Sequence, residues 1–304
     1  MRGNRIESVE APFEFPELLN SVEQVSASAQ KRFYIATGAT LTLLAAGSFT
    51  SLVPPASFYR LGSVLTFVIF LVTGILQVSG FAREEEKRWY DARAAAESIK
   101  TISWEFAVGG EAFRKEEGRE PEEEEKRYLE VLKDILENVG SLDIGVDEGC
   151  KSVITETMKK LRAANLSTRY EEYRKKRVED QILWYSKKAK WNKKQNKLFT
   201  WLVVIFESAA ASFGLLRICG AFSINFLGPI AAVASGLVGW MQAKKYANLA
   251  EAYGMASHEI YLLKSTLNAG ADEATWAQSV HDAEAAFSRE HTMWQARRQS
   301  PRKR

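Results

Sequence analysis

LGSVLTFVIFLVTGILQVSGFA, residues 61–82, runs 22 positions without a charged side chain. At about 1.5 Å of rise per residue, a helix of that length covers roughly 30 Å, the hydrocarbon thickness of a bilayer. Just before it lies FYIATGATLTLLAAGSFTSLV, residues 33–53, a further 21 uncharged positions. The joint PPASFYR, residues 54–60, carries a Pro54-Pro55 pair that ends one helix and permits a tight reversal. Residues 198–216, LFTWLVVIFESAAASFGLL, and 222–241, FSINFLGPIAAVASGLVGWM, repeat the arrangement around the short link RICGA, with Glu207 the lone charge in either run. The pattern predicts an all-α membrane protein with two transmembrane helical hairpins. Its four spans fall at about 33–53, 61–82, 198–217 and 222–241, with long cytoplasmic helices outside them. The bland alternative is a pair of buried helices in a soluble domain. Two adjacent runs of roughly 20 apolar residues, occurring twice, argue against it.

The chain of 304 residues is 26% charged, which alone would suit a soluble protein, but nearly all of that charge lies outside the two apolar windows. A net charge of +3 excludes a long-range field that would recruit nucleic acid, so no direct nucleic-acid binding is expected. Cys150 and Cys219 give no disulfide framework and suggest a reducing compartment for the polar body. The opening MRGNRIESVEAPFEFPELLN has acidic residues and prolines where a signal peptide needs an apolar run, so the first span is expected to stay as an anchor. Lys31 and Arg32 precede the first span, Arg83, Lys87 and Arg88 follow the second, six lysines from Lys187 to Lys197 precede the third, and Lys244 and Lys245 follow the fourth. The hairpin tips carry only Arg60 and Arg217. By the positive-inside rule this predicts a multi-pass protein of the bacterial inner membrane with both termini cytoplasmic, its lysines facing anionic headgroups.

The chain divides into an N-terminal cytoplasmic segment (1–30), a first two-span unit with a post-hairpin helix (31–118), a helical connector (119–168), a second two-span unit with flanking helices (169–270), and a C-terminal helix and basic tail (271–304). Gly109-Gly110 predicts a break after the first post-hairpin helix. KRYLEVLKDILENV places Tyr128, Leu129, Leu132, Ile135, Leu136 and Val139 at helical spacing. The acidic run EEGREPEEEE before it is the solvated start of that helix and no metal site. SLDIGVDEGCKS, residues 141–152, reads as a turn, and residues 151–197 as helix with few breakers, continuing into the third span as a stalk. The pattern A-E-x5-S-x-E occurs at Ala96-Glu97 with Ser103 and Glu105, and again at Ala250-Glu251 with Ser257 and Glu259, each time shortly after a hairpin. It argues for a duplicated unit.

Glu207 is the tenth residue of its span, where an ionised carboxylate costs roughly 2.5–3.5 kcal/mol. It reads either as a pore-lining or gating carboxylate, or as a neutral acid hydrogen-bonded to a neighbouring helix through Thr73 or Gln77. Thr66, Thr73, Gln77 and Gly80 share one helix face, as a water-lining stripe or as a packing face. Gly228, Ala232, Ser235, Gly236 and Gly239 form a small-residue ridge for helix packing, with a kink allowed at Pro229. Trp89, Tyr90, Trp184, Tyr185, Trp191 and Trp201 serve as interfacial anchors or packing residues. His258-Glu259-Ile260-Tyr261-Leu262 lacks the second histidine of a zinc site, and phosphate-cradling and nucleophile-elbow motifs are absent. His258, His281 and His291 are scattered and read as packing or surface residues. An enzyme is therefore not expected, nor a cofactor or metal.

YEEYRKKRVEDQILWYSKKAKWNKK, residues 170–194, runs straight into the second hairpin. Its Tyr173, Arg177, Gln181, Trp184, Tyr185, Lys188, Ala189, Asn192 and Lys193 resemble the opening of the bacterial SLATT family of two-transmembrane proteins, associated with SMODS and SLOG domains. Trp89, Tyr90, Arg93, Ala96 and Glu97 resemble a sibling version after the first hairpin, so the chain is similar to a tandem pair. The resemblance implies a membrane effector of bacterial conflict or antiviral defence. Such an effector would be triggered by a cytoplasmic sensor or nucleotide-signal-producing partner, and would compromise the lipid bilayer by forming a pore as a homo-oligomer. The competing functions are a non-conducting membrane scaffold and a repeat-built transporter. Two hairpins of like orientation, and only four spans, disfavour the latter.

Overall fold

The computed structural model describes residues 12–52, 55–116, 118, 120–137, 153–220, 224–268 and 270–299, and among these it is helical with no strand. The helices are α1 (Glu17–Phe49), α2 (Pro55–Val78), α3 (Phe81–Val108), α4 (Pro121–Glu137), α5 (Glu156–Ala163), α6 (Leu166–Tyr173), α7 (Asp180–Ile218), α8 (Leu227–Lys244), α9 (Tyr246–Thr266) and α10 (Glu273–Gln299). The expectations at residues 1–11, Pro54, 141–152 with Cys150, and 300–304 lie outside the described residues.

The chain forms two compact units. The first, residues 1–27, 88–188 and 252–304, is a helical body with a closed core. Leu19 and Val22 of α1, Trp104 and Phe106 of α3, Tyr128 and Leu132 of α4, Met158 and Leu161 of α5, and Trp276 and Val280 of α10 are all buried in it. Phe13 stacks on Trp104 at 3.9 Å between ring centroids, and Phe106, Phe113 and Tyr128 cluster at 5.1–6.1 Å. Each such side chain gains about 1.5–3 kcal/mol by leaving water. Leu129 lies outside this pattern, 45% exposed, because α4 offers the core only the stripe through Tyr128 and Leu132.

The break at Gly109-Gly110 is present. α3 ends at Val108, and Gly109 takes φ +78°, a left-handed conformation that glycine reaches without steric cost. The helix expected through 151–197 is divided. Thr155 caps α5 by accepting from the Met158 amide at 3.3 Å, and Asn165 caps α6 by accepting from the Thr168 amide at 2.9 Å, with Ala164 and Asn165 in extended backbone. A short polar side chain that satisfies the next helix's free amides interrupts the preceding one. Past α6 the chain takes one π-helical stretch, Arg174–Glu179, before α7.

The second unit, residues 28–87 and 189–251, contains the apolar helices. Among the described residues, two helical runs are long and apolar enough to cross a membrane: Arg60–Val108, which takes in most of α2 and all of α3 with the Gly80 turn between them, and Leu166–Ile218. Their apolar windows are only 6% buried, which separates them from the core helix of a soluble protein. Phe67, Ile75 and Val78 of α2 are 66%, 61% and 89% exposed, a surface that water does not stabilise. α8 is shorter, and it and the second half of α1 are diluted by glycine, alanine and serine. Close approach of these helices depends on glycine: Cβ positions built at Gly47 and Gly239 fall 3.1 Å from Ile69 and 3.0 Å from Leu41. α8 ends where Lys245 turns left-handed at φ 53° and its amide donates to the Met241 carbonyl.

Candidate functional site

Within the apolar unit, Glu207 lies on the outward face of α7 beside the exposed Val204, Ile205 and Ser208. Among the described residues its carboxylate has no hydrogen-bond or ion-pair partner. The stripe on α2 is split by the packing. Thr73 is buried and donates to the Ile69 carbonyl at 2.7 Å, Thr66 donates to the Gly62 carbonyl at 2.8 Å and meets the Thr50 hydroxyl at 2.5 Å, and Gln77 faces outward. Neither Thr73 nor Gln77 bonds Glu207. The small-residue ridge on α8 is divided in the same way: Gly236 and Gly239 approach Leu41 of α1, whereas Gly228 and Ser235 are exposed, with Ala232 half-buried. At the polar rim Arg32 pairs with Glu85 and Lys245 with Glu86, both at 3.3 Å, and the Lys244 ammonium sits 3.2 Å from the centre of the Tyr34 ring.

The helical body holds a buried charge cluster. Glu284 of α10 has no exposed surface, and its two oxygens accept four hydrogen bonds. Arg177 grips it from Nε at 2.9 Å and from a terminal nitrogen at 2.7 Å, the Tyr173 hydroxyl donates at 3.0 Å, and Thr101 of α3 donates at 2.9 Å. A two-pronged guanidinium–carboxylate contact of this kind is strong only where every remaining donor is also satisfied. Burial pushes the Arg177 guanidinium down, and the adjoining Glu284 charge and its hydrogen bonds more than offset this, holding it above its ordinary value. Burial, then the Glu284 charge, raises the Tyr173 phenol well above its ordinary value, so it remains a donor. The π-helical stretch carries Arg177 to this position.

One turn before Glu284 in α10, His281 Nδ1 lies 3.1 Å from Glu105 of α3. Burial, and next the nearby Glu284 carboxylate, raise the Glu105 carboxyl above its usual range, against the opposing pull of His281. His281 is exposed, as expected of a surface residue, and also reaches Glu105. At the base of α10, Trp276 Nε1 and an Arg169 guanidinium nitrogen both donate to the Val108 carbonyl at 2.7 Å, and Arg169 also pairs with Glu273. Arg162 reaches the Phe106 and Phe113 carbonyls at 2.6 and 3.0 Å and pairs with Glu124. The contacts to Phe106 and Val108 satisfy carbonyls left free where α3 ends, and the one to Phe113 ties down the turn that follows. No group of three or more metal-binding side chains occurs among the described residues.

The remaining motif positions fall around this cluster or beside it. Tyr185 is buried and donates to the Phe287 carbonyl at 3.0 Å; Trp184 packs edge-on against Tyr185 and Tyr253; Trp89 is buried and its carbonyl accepts from Ser26 at 3.3 Å. Asn192 is buried in the apolar unit, Gln181 and Arg93 are half-buried, and Glu97 accepts from Lys100 at 3.4 Å. Sequence reading singled out Tyr173 and Arg177 without their partner. The missed signal is in α10, where Ala277, Val280, Glu284 and Phe287 recur at spacings of three and four, so that one carboxylate interrupts an apolar stripe.

Residues 16–170 match the family model described as SMODS and SLOG-associating 2TM effector domain 3, and residues 173–294 match the one described as SMODS and SLOG-associating 2TM effector domain 1. No curated protein matches the chain, and no solved structure does.

Proposed function

The chain belongs to the SMODS- and SLOG-associating two-transmembrane effector family as a tandem of two of its domains, and from that premise we propose that it is a pore-forming membrane effector of a bacterial conflict system. In this reading α1, α2, α7 and α8 all cross the inner membrane with both chain ends in the cytoplasm, several copies assemble, and a cytoplasmic partner or ligand triggers opening. The supporting observation is Glu207: a carboxylate on the outward face of an apolar helix, with no partner among the described residues. Facing lipid it costs roughly 2.5–3.5 kcal/mol, and a neighbouring copy or a water-filled lumen removes that cost. α7 is one unbroken helix from Asp180 to Ile218, roughly 58 Å long, and like α1, α3 and α9 it supplies residues to both units, so it is one of four covalent routes from sensing body to span.

Expression in bacteria with a membrane-potential dye, alongside ion flux in liposomes holding purified protein, tests the proposal. Depolarisation that falls with Glu207→Leu supports it. Silent liposomes, or flux indifferent to Glu207, count against a pore, and silence together with stable capture of a cytoplasmic partner identifies a scaffold. Topology is tested separately: an impermeant maleimide applied to spheroplasts should label the exposed Cys219, at the tip between α7 and α8, and spare Cys150.

A further inference from the structure

The apolar part of α7 begins at Leu198, and the turns just before it carry a row of lysines that the effector reading does not use. Lys190, Lys194, Lys197 and Trp201 follow one another at spacings of four, three and four, so they fall within about 60° on one face of the helix. All four side chains are exposed, Trp201 at 59%. The three lysines form no ion pair among the described residues. Other cations at the polar rim of the same unit are matched inside the chain: Arg32 by Glu85, Lys245 by Glu86, and Lys244 by the rings of Tyr34 and Trp240.

Like charges three and four residues apart oppose one another along a helix, and no acidic residue occurs between Asp180 and Glu207 to separate them. The anions that would relieve this face have to come from outside the chain. Their depth is set by the helix itself. From Lys197 to Ile218 α7 rises about 31 Å, the thickness of a hydrocarbon core. A span ending at Ile218 therefore brings Lys197 to the hydrocarbon boundary, with Lys194 about 5 Å and Lys190 about 10 Å beyond it. The headgroup layer is roughly 5–8 Å deep on each side, within reach of three lysine side chains on that ladder. Trp201, one turn inside Lys197, lies at the depth where indole rings settle between headgroups and acyl chains.

We propose that this face of α7 is a binding site for anionic phospholipid, with lipid phosphates held by Lys190, Lys194 and Lys197 and the glycerol and upper acyl chain packed on Trp201. The proposal rests on the reading that α7 crosses a bilayer, and it is independent of conduction. It also goes beyond a basic flank that orients the chain. Orientation depends on how many lysines lie on each side, whereas a lipid site needs them unpaired, on one face and in line with an exposed indole. Free phosphate offers the same oxygens without the chains that Trp201 and the exposed Ile205 would meet, and a nucleic-acid backbone would not reach Trp201 below the headgroups.

The test is tryptophan quenching in the full chain, reconstituted in phosphatidylcholine vesicles that carry a small share of acyl-brominated phosphatidylglycerol or, in parallel, acyl-brominated phosphatidylcholine. At equal share the brominated phosphatidylglycerol should quench more, with a relative association constant of about fivefold or higher. Inorganic phosphate should not reduce that excess beyond sodium chloride of the same ionic strength. Lys190→Gln/Lys194→Gln/Lys197→Gln should bring the ratio close to one, and Trp201→Phe should reduce the excess. Lys126→Gln/Lys160→Gln/Lys175→Gln, which takes the same charge from exposed lysines of the helical body, should leave the ratio at its wild-type value. Melting curves confirm that each variant folds; should the triple α7 variant fail to, the three single variants are read in its place. An excess that survives undiminished in the α7 variants, an equal loss when the body lysines are replaced, displacement by inorganic phosphate, or binding of a short DNA duplex that the α7 variant abolishes overturns the proposal. Equal quenching by the two lipids overturns it and leaves the membrane reading standing, whereas quenching by neither overturns both.

Discussion

Removing Glu284 puts the buried cluster to its sharpest test. Glu284→Leu leaves the Arg177 guanidinium, 3% exposed, without its counter-charge and takes the acceptor from Tyr173 and Thr101. An orphaned buried charge costs about 3–5 kcal/mol. The two stranded hydroxyls add about 1 kcal/mol or more. At roughly 2–4 °C per kcal/mol for a chain of this size, the melting temperature should fall by about 10 °C or more. Arg177→Met should cost less, because Tyr173 and Thr101 still donate to the carboxylate. The double variant Arg177→Met/Glu284→Leu removes both charges and should recover most of the loss, since a buried ion pair replaced by apolar side chains of similar volume is often near neutral. The measurement is a double-mutant cycle by thermal unfolding in detergent, with hydrogen exchange along α3 and α10 as the local readout. Singles within about 1 kcal/mol of wild type, or a double variant as unstable as the sum of the singles, would refute the account of the cluster as a mutually dependent unit.

Glu105 gives a pH dependence of definite sign. Its carboxyl is raised in the folded body, so the folded state holds the proton more tightly. That contribution is full below the ordinary value of 4.5 and is lost as pH rises through the folded value. Hydrogen-exchange protection at the α3–α10 contact, taken relative to the intrinsic exchange rate at each pH, should therefore fall as pH rises above 4.5, and Glu105→Gln should flatten the change. On α8, Gly239→Val should destabilise by about 1–3 kcal/mol, because its Cβ would lie 3.0 Å from Leu41, whereas Gly228→Ala, which meets nothing within 4 Å, should be neutral or stabilising; melting curves in detergent compare them. Gly109→Ala combines a φ of +78° with a Cβ 2.8 Å from an Arg169 nitrogen, and should cost more than 1 kcal/mol on the order of a strained backbone position, read by the same curves.

The apolar runs of α2 and α7 were legible because a stretch of about twenty apolar residues is a signal of length and composition that needs no partner to be read, and the all-helical class follows from them. The break at Gly109-Gly110 was legible for a local reason, a left-handed position only glycine fills easily. The division at Asn165 was not, since one asparagine among strong helix formers wins only when its side chain swings back to the Thr168 amide. The least legible feature was the partner of Arg177. Glu284 lies 107 positions away along the chain, and nothing at either position announces the other. Periodicity in α10 flags Glu284 as a charge on an inward face, but which cation answers it is decided by tertiary packing.

The two family matches meet between residues 170 and 173, yet the helical body does not divide there. α10 lies mostly in the second match, and four of its polar residues bond into the first: Trp276 to the Val108 carbonyl, Glu273 to Arg169, His281 to Glu105, and Glu284, held by Arg177 and Tyr173 of its own match, also to Thr101. Val280 also meets the space where a side chain at Gly110 would stand. Separating the halves would expose the end of α3, take the Trp276 donor from the Val108 carbonyl, and leave Glu284 facing a missing wall. Covalent linkage supplies these contacts at a high effective concentration, in a fixed one-to-one ratio. The tandem is accordingly one folding unit in its polar body, and whatever displaces α10 must break contacts made by both domains at once.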